Sequence, residues 1–174
     1  VGRGETVADT AKVLSRYLHG IVIRTFSHAD VEELAREASI PVINALTDEY
    51  HPCQILADML TIKEYSGRVD KSIRVAFYGD GRSNIANSLM LAARLTGMEM
   101  VVSAPAEERP AEELMAGAPN ICWEPDPLKA AEGVDYFYTD VWVSMGFEDE
   151  KERRMKIFRP YQVNEALFER ARPN

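Results

Sequence analysis

Apolar side chains recur at helical spacing from Thr6 to His19, at Val7, Ala11, Leu14 and Leu18, with Asp9 in the first turn, and predict an amphipathic helix. Gly20 breaks that pattern, and the β-branched run IVIRTF predicts a strand. A second helix is expected from Ala29 to Ser39, opening with Asp30 and Glu32, and IPVINAL reads as the next strand. After the turn-like TDEY comes HPCQILADMLTIKEY, where Pro52 suits a first helical position and Ile55, Leu56, Met59, Leu60 and Ile62 form an apolar side. The polar stretch SGRVDKS, with Gly67, divides the chain into expected lobes 1–66 and 67–174. Beyond it, strands IRVAFYG, MEMVVSA, ICWE and VDYFYTD alternate with helices NIANSLMLAARLTG, PAEELMAG and DPLKAAEG, which predicts α/β architecture with a parallel sheet. The tail from Glu148 reads as two helical pieces broken near Pro160.

Composition narrows the class. Of 174 residues, 46% are hydrophobic and 28% charged, enough apolar material for a packed core in a soluble globular protein. A net charge of −8, spread along the chain, disfavours nucleic acid and anionic lipid, so small molecules are the expected partners. Cys53 and Cys122 lie outside any metal-binding or CxxC spacing, which suits free thiols in a reducing compartment, and no structural disulfide or zinc is expected. No apolar run approaches a membrane span and no leader opens the chain, which begins at Val1 with a helical pattern almost at once, so upstream sequence is expected.

In open parallel sheets ligands bind beyond the carboxyl ends of strands, which directs attention to two loops. Gly79-Asp80-Gly81-Arg82-Ser83-Asn84 lets backbone approach a ligand and offers helix N-terminal N–H groups, although a turn capped by Ser83 and Asn84 also accounts for it. YTDVWVSMG delivers Asp140 to a strand end, where its carboxylate could hold an ammonium group or simply cap a turn. In HPCQ, His51 and Gln54 stand three apart at a helix start, able to hold a carbonyl oxygen together. Arg24, near the carboxyl end of an Ile/Val strand, suits a phosphate or carboxylate, or a surface ion pair. His19 and His28 are expected at the surface and Cys122 in the interior, and Cys53 is not expected to pair with His51 as a nucleophile.

Taken in order, GRGETVADTAKVLSRY, IVIRTF, HPCQ with LADMLTIKE, VAFYGDGRSNIANSLMLAA, YTDVWVSMG and YQVNEAL resemble the ornithine carbamoyltransferase family over essentially the whole chain. That resemblance implies two Rossmann-like lobes, the first incomplete, with the HPCQ helix joining them, and a homotrimer or multiple of trimers. It implies carbamoyl transfer from carbamoyl phosphate to the δ-amine of L-ornithine, giving L-citrulline and phosphate with no metal or organic cofactor, within arginine biosynthesis in the cytoplasm, or the mitochondrial matrix of a eukaryote. Arg24, His51 and Gln54 are thereby assigned to carbamoyl phosphate, with Arg24 and His51 catalytic, and Asn84, Asp140, Ser144 and Met145 to ornithine. Anabolic and catabolic directions use one site and are not distinguished.

The chain also departs from that family's pattern. It contains neither a Ser-x-Arg-Thr-Arg phosphate loop nor a His-Cys-Leu-Pro motif, which are expected upstream of Val1 and downstream of Asn174, so the chain alone is expected to be a poor catalyst. A related carbamoyltransferase using aspartate, putrescine or an acylated ornithine would share the HPCQ region, but DVWVSMG favours ornithine. A dinucleotide-binding oxidoreductase lobe is disfavoured by the incomplete glycine fingerprint. A non-catalytic binding module of the same fold is the remaining alternative.

Overall fold

Parallel strand pairing organises the protein, seen here in a computed structural model that describes residues 4–143 and 148–173. The chain forms two compact units, Val1–Asp58 and Met59–Asn174.

In the first unit, α1 (Val7–Leu14) starts where the Thr6 hydroxyl accepts from the Asp9 N–H at 3.0 Å, and it buries Ala11 completely. It is shorter than its apolar pattern predicts. Ser15 Oγ donates to the Ala11 carbonyl at 2.7 Å and accepts from the Ser39 N–H at 3.1 Å, while Arg16 N–H turns to the Val13 carbonyl, so the last turn tightens and stops. β1 (Ile21–Arg24) pairs in parallel with β2 (Val42–Leu46), from Ile21 opposite Val42 to Arg24 opposite Leu46, with an irregularity between Ile23 and Arg24. Between them α2 (His28–Glu37), capped by Ser27, buries Val31 and Leu34. α3 (Pro52–Ser66) follows, with proline at its first position, and the division between the units falls inside it.

The second unit is built on β3 (Arg74–Tyr78), β4 (Glu99–Ser103), β5 (Ile121–Trp123) and β6 (Tyr136–Thr139), all parallel in the order β5-β4-β3-β6. Val75 to Tyr78 and Met100 to Ser103 are buried, as expected of central parallel strands covered on both faces. α4 (Asn84–Thr96) returns from β3 to β4 and ends on Gly97, whose φ of 79° closes the helix by donating to the Ala93 carbonyl. The later predicted helices shrink to single turns, α5 (Glu112–Met115) and α6 (Pro127–Ala130). The tail supplies α7 (Lys151–Phe158), a tight turn at Arg159–Tyr161, and α8 (Glu165–Phe168). Ala76, Tyr78, Val101, Ala130, Val134 and Leu167 form one buried cluster, and the Tyr78 hydroxyl donates to the Pro127 carbonyl at 2.9 Å.

From β3 the strands run outward through β4 to β5, and then β6 returns to the opposite side of β3. The reversal lies between β3 and β6, and in open parallel sheets such a reversal is where ligands bind beyond the strand ends.

Candidate functional site

In the second unit the two loops singled out in the sequence follow β3 and β6, the strands on either side of that reversal. Tyr78 lies opposite Thr139 in the sheet, and Thr139 Oγ1 donates to the Tyr78 carbonyl at 3.1 Å, so the loops leave the sheet side by side. Gly79 has a φ of 137°, open to glycine and strained for other residues. At Gly81 the constraint is space, because a Cβ would lie 2.7 Å from the Glu108 carbonyl oxygen and 2.9 Å from the Pro110 ring. Asp80 accepts from the Arg82 N–H at 2.9 Å, and the Ser83 hydroxyl caps α4 by accepting from the Ala86 N–H at 3.1 Å. Asn84 is the first residue of α4 and is half-buried. On the loop after β6, Asp140, also half-buried, accepts from the Val141 N–H at 2.8 Å, so its carboxylate shapes its own turn. Ser144 and Met145 lie outside the described residues.

Beneath both loops lies a group that the sequence reading passed over. Arg154 of α7 is 2% exposed. Its Nη2 forms an ion pair with Asp80, its Nε donates to the Trp142 carbonyl at 2.6 Å, its Nη1 stands 3.8 Å from Glu108, and it lies 5.1 Å over the Phe158 ring. The Glu108 carboxyl is held above the usual carboxylate range by burial first and the charge of Asp80 second, opposed by Arg154, Arg153 and Arg82. A trace of this was legible, since 154, 158 and 161 recur at helical spacing and all three are buried. The partner Asp80, 74 residues away, was not.

In the first unit, Arg24 ends β1 and is exposed, opposite Leu46 at the end of β2. Thr47, fully buried, ties the following turn by accepting from the Tyr50 N–H at 3.1 Å, and His51 leads from that turn into α3, its carbonyl accepting from the Ile55 N–H at 3.3 Å. Arg24 and His51 therefore belong to the carboxyl-end edge of the paired strands. Gln54 is exposed one turn along, and its Nε2 donates to Asp58 Oδ1 at 3.0 Å. Cys53 turns toward the sheet instead, its Sγ 3.3 Å from the Asn44 carbonyl, which separates it from any nucleophile role with His51.

Two expectations are corrected. His28 is part of the packing rather than a surface residue, with Nδ1 3.1 Å from Thr47 Oγ1 and its ring 4.8 Å from that of Tyr50, because the Ser27 cap starts α2 against the β2 turn. Cys122 is exposed rather than buried, since β5 is an outer strand of the sheet; partial desolvation still holds its thiol above the ordinary value. Among the described residues no three His, Cys, Asp or Glu side chains cluster as metal ligands, and no helix is long and apolar enough to cross a membrane.

Residues 1–64 match the carbamoyl-phosphate-binding domain of the aspartate/ornithine carbamoyltransferases, and residues 71–174 match their aspartate/ornithine-binding domain. The chain belongs to the aspartate/ornithine carbamoyltransferase family. Among similar carbamoyltransferases, the ornithine carbamoyltransferase of Oceanobacillus iheyensis is 52% identical over 99% of this chain and 55% of its own length. The solved structure of the Pyrococcus furiosus ornithine carbamoyltransferase superposes with a TM-score of 0.90 at 47% identity, covering 99% of this chain and 57% of that one. The anabolic ornithine carbamoyltransferase of Campylobacter jejuni gives the same TM-score at 35% identity, covering 99% of this chain and 59% of that one. The chain spans about half the length of the relatives it matches.

Proposed function

We propose that the protein of which this chain forms a part transfers the carbamoyl group of carbamoyl phosphate to the δ-amine of L-ornithine, giving L-citrulline and phosphate. The observation that carries this reading is the strand-order reversal that sets the Asn84 and Asp140 loops beside each other, in a chain 52% identical to an ornithine carbamoyltransferase. On this reading residues 67–174 supply the ornithine lobe and residues 1–66 carry part of the carbamoyl-phosphate lobe.

The reaction forms a bond from the δ-nitrogen to the carbonyl carbon, breaks that carbon's bond to the phosphate oxygen, and releases a proton from nitrogen. An amine like that of Lys, with pKa near 10.4, must be neutral to attack, which at pH 7.4 costs about 4 kcal/mol. Asp140 binds the α-ammonium group, with Asn84, Ser144 and Met145 holding the rest of the amino acid, so that orientation supplies much of the rate. Arg24 and His51 stabilise the oxygen that becomes negative as the amine adds, and Gln54 assists at the carbamoyl group. Gln54 must then turn its amide from Asp58 toward substrate. Losing one oxyanion donor costs roughly 3 to 4 kcal/mol in transition-state stabilisation. The family resemblance supports a trimeric assembly, which sedimentation of the full-length protein tests.

Calorimetric titration of the full-length protein with L-ornithine, with carbamoyl phosphate present, tests the substrate. Wild type is expected to bind ornithine and Asp140→Asn to lose most of that affinity. Unchanged ornithine affinity in Asp140→Asn would sink that residue's role, and preference for aspartate or putrescine would move the protein to another acceptor.

A further inference from the structure

Arg154 connects three segments beyond the ends of their strands. Its guanidinium takes the Asp80 carboxylate on one side and the Trp142 carbonyl on another, with Glu108 behind them at 3.8 Å. Asp80 begins the turn that ends at Asn84, and Trp142 stands two residues beyond Asp140. The third segment is pinned independently, because Gly81 N–H donates to the Glu108 carbonyl at 3.1 Å and Gly81 has no room for a side chain against residues 108–110. We propose that Arg154 is a positioning residue that fixes the spacing between the Asn84 and Asp140 loops, and so sets affinity for the amino-acid acceptor. This deepens the reading of those loops as the ornithine site and rests on it.

The planar fork of arginine is suited to this task. Separate N–H groups point to Asp80 and to Trp142 at once, and the ring of Phe158, 5.1 Å away, packs against the guanidinium. A lysine at this position would keep the charge but present one compact ammonium, able to hold Asp80 or the carbonyl in good geometry and not both. Methionine would keep much of the stem and remove every donor, leaving Asp80 buried without its cation.

The test is steady-state kinetics of the full-length enzyme with both substrates, on wild type, Arg154→Lys and Arg154→Met. Wild type without ornithine turnover overturns the functional reading itself, and the positioning role with it. With an active wild type, folded Arg154→Met is expected to raise KM for ornithine by about tenfold or more while KM for carbamoyl phosphate stays within about twofold, and Arg154→Lys is expected to recover part of the loss. A purely structural role would lower the melting temperature and leave that ratio unmoved, so folded Arg154→Met with both KM values unchanged overturns the proposal. If Arg154→Met does not fold, Arg154→Lys decides by the same ratio. Hydrogen exchange on wild type needs no variant: ornithine added in steps up to saturation should protect 79–84 and 138–143 with one concentration dependence, and protection of one loop alone overturns the coupling.

Discussion

Glu108 sits where burial and the carboxylate of Asp80 both favour its protonated form, with Arg154, Arg153 and Arg82 pulling the other way. Its pKa is raised in the folded protein, so the native state holds this proton more tightly than the unfolded chain does. The stabilisation from that proton is therefore fully present below the ordinary Glu range and is lost as pH rises through the raised value. Glu108→Gln keeps the shape and removes the titration. The stability of the variant relative to wild type is expected to improve steadily from acid to neutral pH, read from denaturant melts at each pH. The lost contact to Arg153, at 3.5 Å and half-exposed, contributes little. A difference that narrows with rising pH would mean that the surrounding arginines outweigh burial.

At the scale of elements, α4 matters most, because its start carries Asn84 and its turn carries Asp80. Its first turn depends on the Ser83 hydroxyl, which satisfies the Ala86 N–H. Ser83→Ala is expected to destabilise the protein by about 1 kcal/mol and to loosen ornithine binding without affecting carbamoyl phosphate; equal losses for both substrates would indicate a general effect on folding. Such caps, the strands and the turns between them were legible in sequence because each is specified within a few residues. The two polar loops after β3 and β6 were legible too, since each gathers at the carboxyl end of its strand. What was not legible is set by contacts distant in sequence. Arg154 finds Asp80 across 74 residues, His28 finds Thr47 across 19, and α1 is shortened by Ser15 meeting Ser39 across 24. α5 and α6 fell short for a local reason, their patterns being only one or two turns long and unable to sustain cooperative helix.

For the whole molecule, the two units differ in how completely their sheets are enclosed. β3 is paired on both edges, by β4 and β6, and Val75 to Tyr78 are almost wholly buried. Among the described residues β1 pairs only with β2, and its side chains alternate between half-buried and exposed, with Val22 68% exposed. Amide exchange is slow where opening requires disrupting a buried, doubly paired strand and faster where one ladder on an exposed face suffices. Native-state hydrogen exchange of this chain is therefore expected to show the Val75–Tyr78 amides as the most protected and the Ile21–Arg24 amides as exchanging at least about tenfold faster, through openings that leave the four-stranded sheet intact. Identical protection of both strands, with one shared denaturant dependence, would mean that the chain unfolds as a single cooperative body. The first unit would then draw its stability from more than its own two-stranded sheet and the helices α1 and α2.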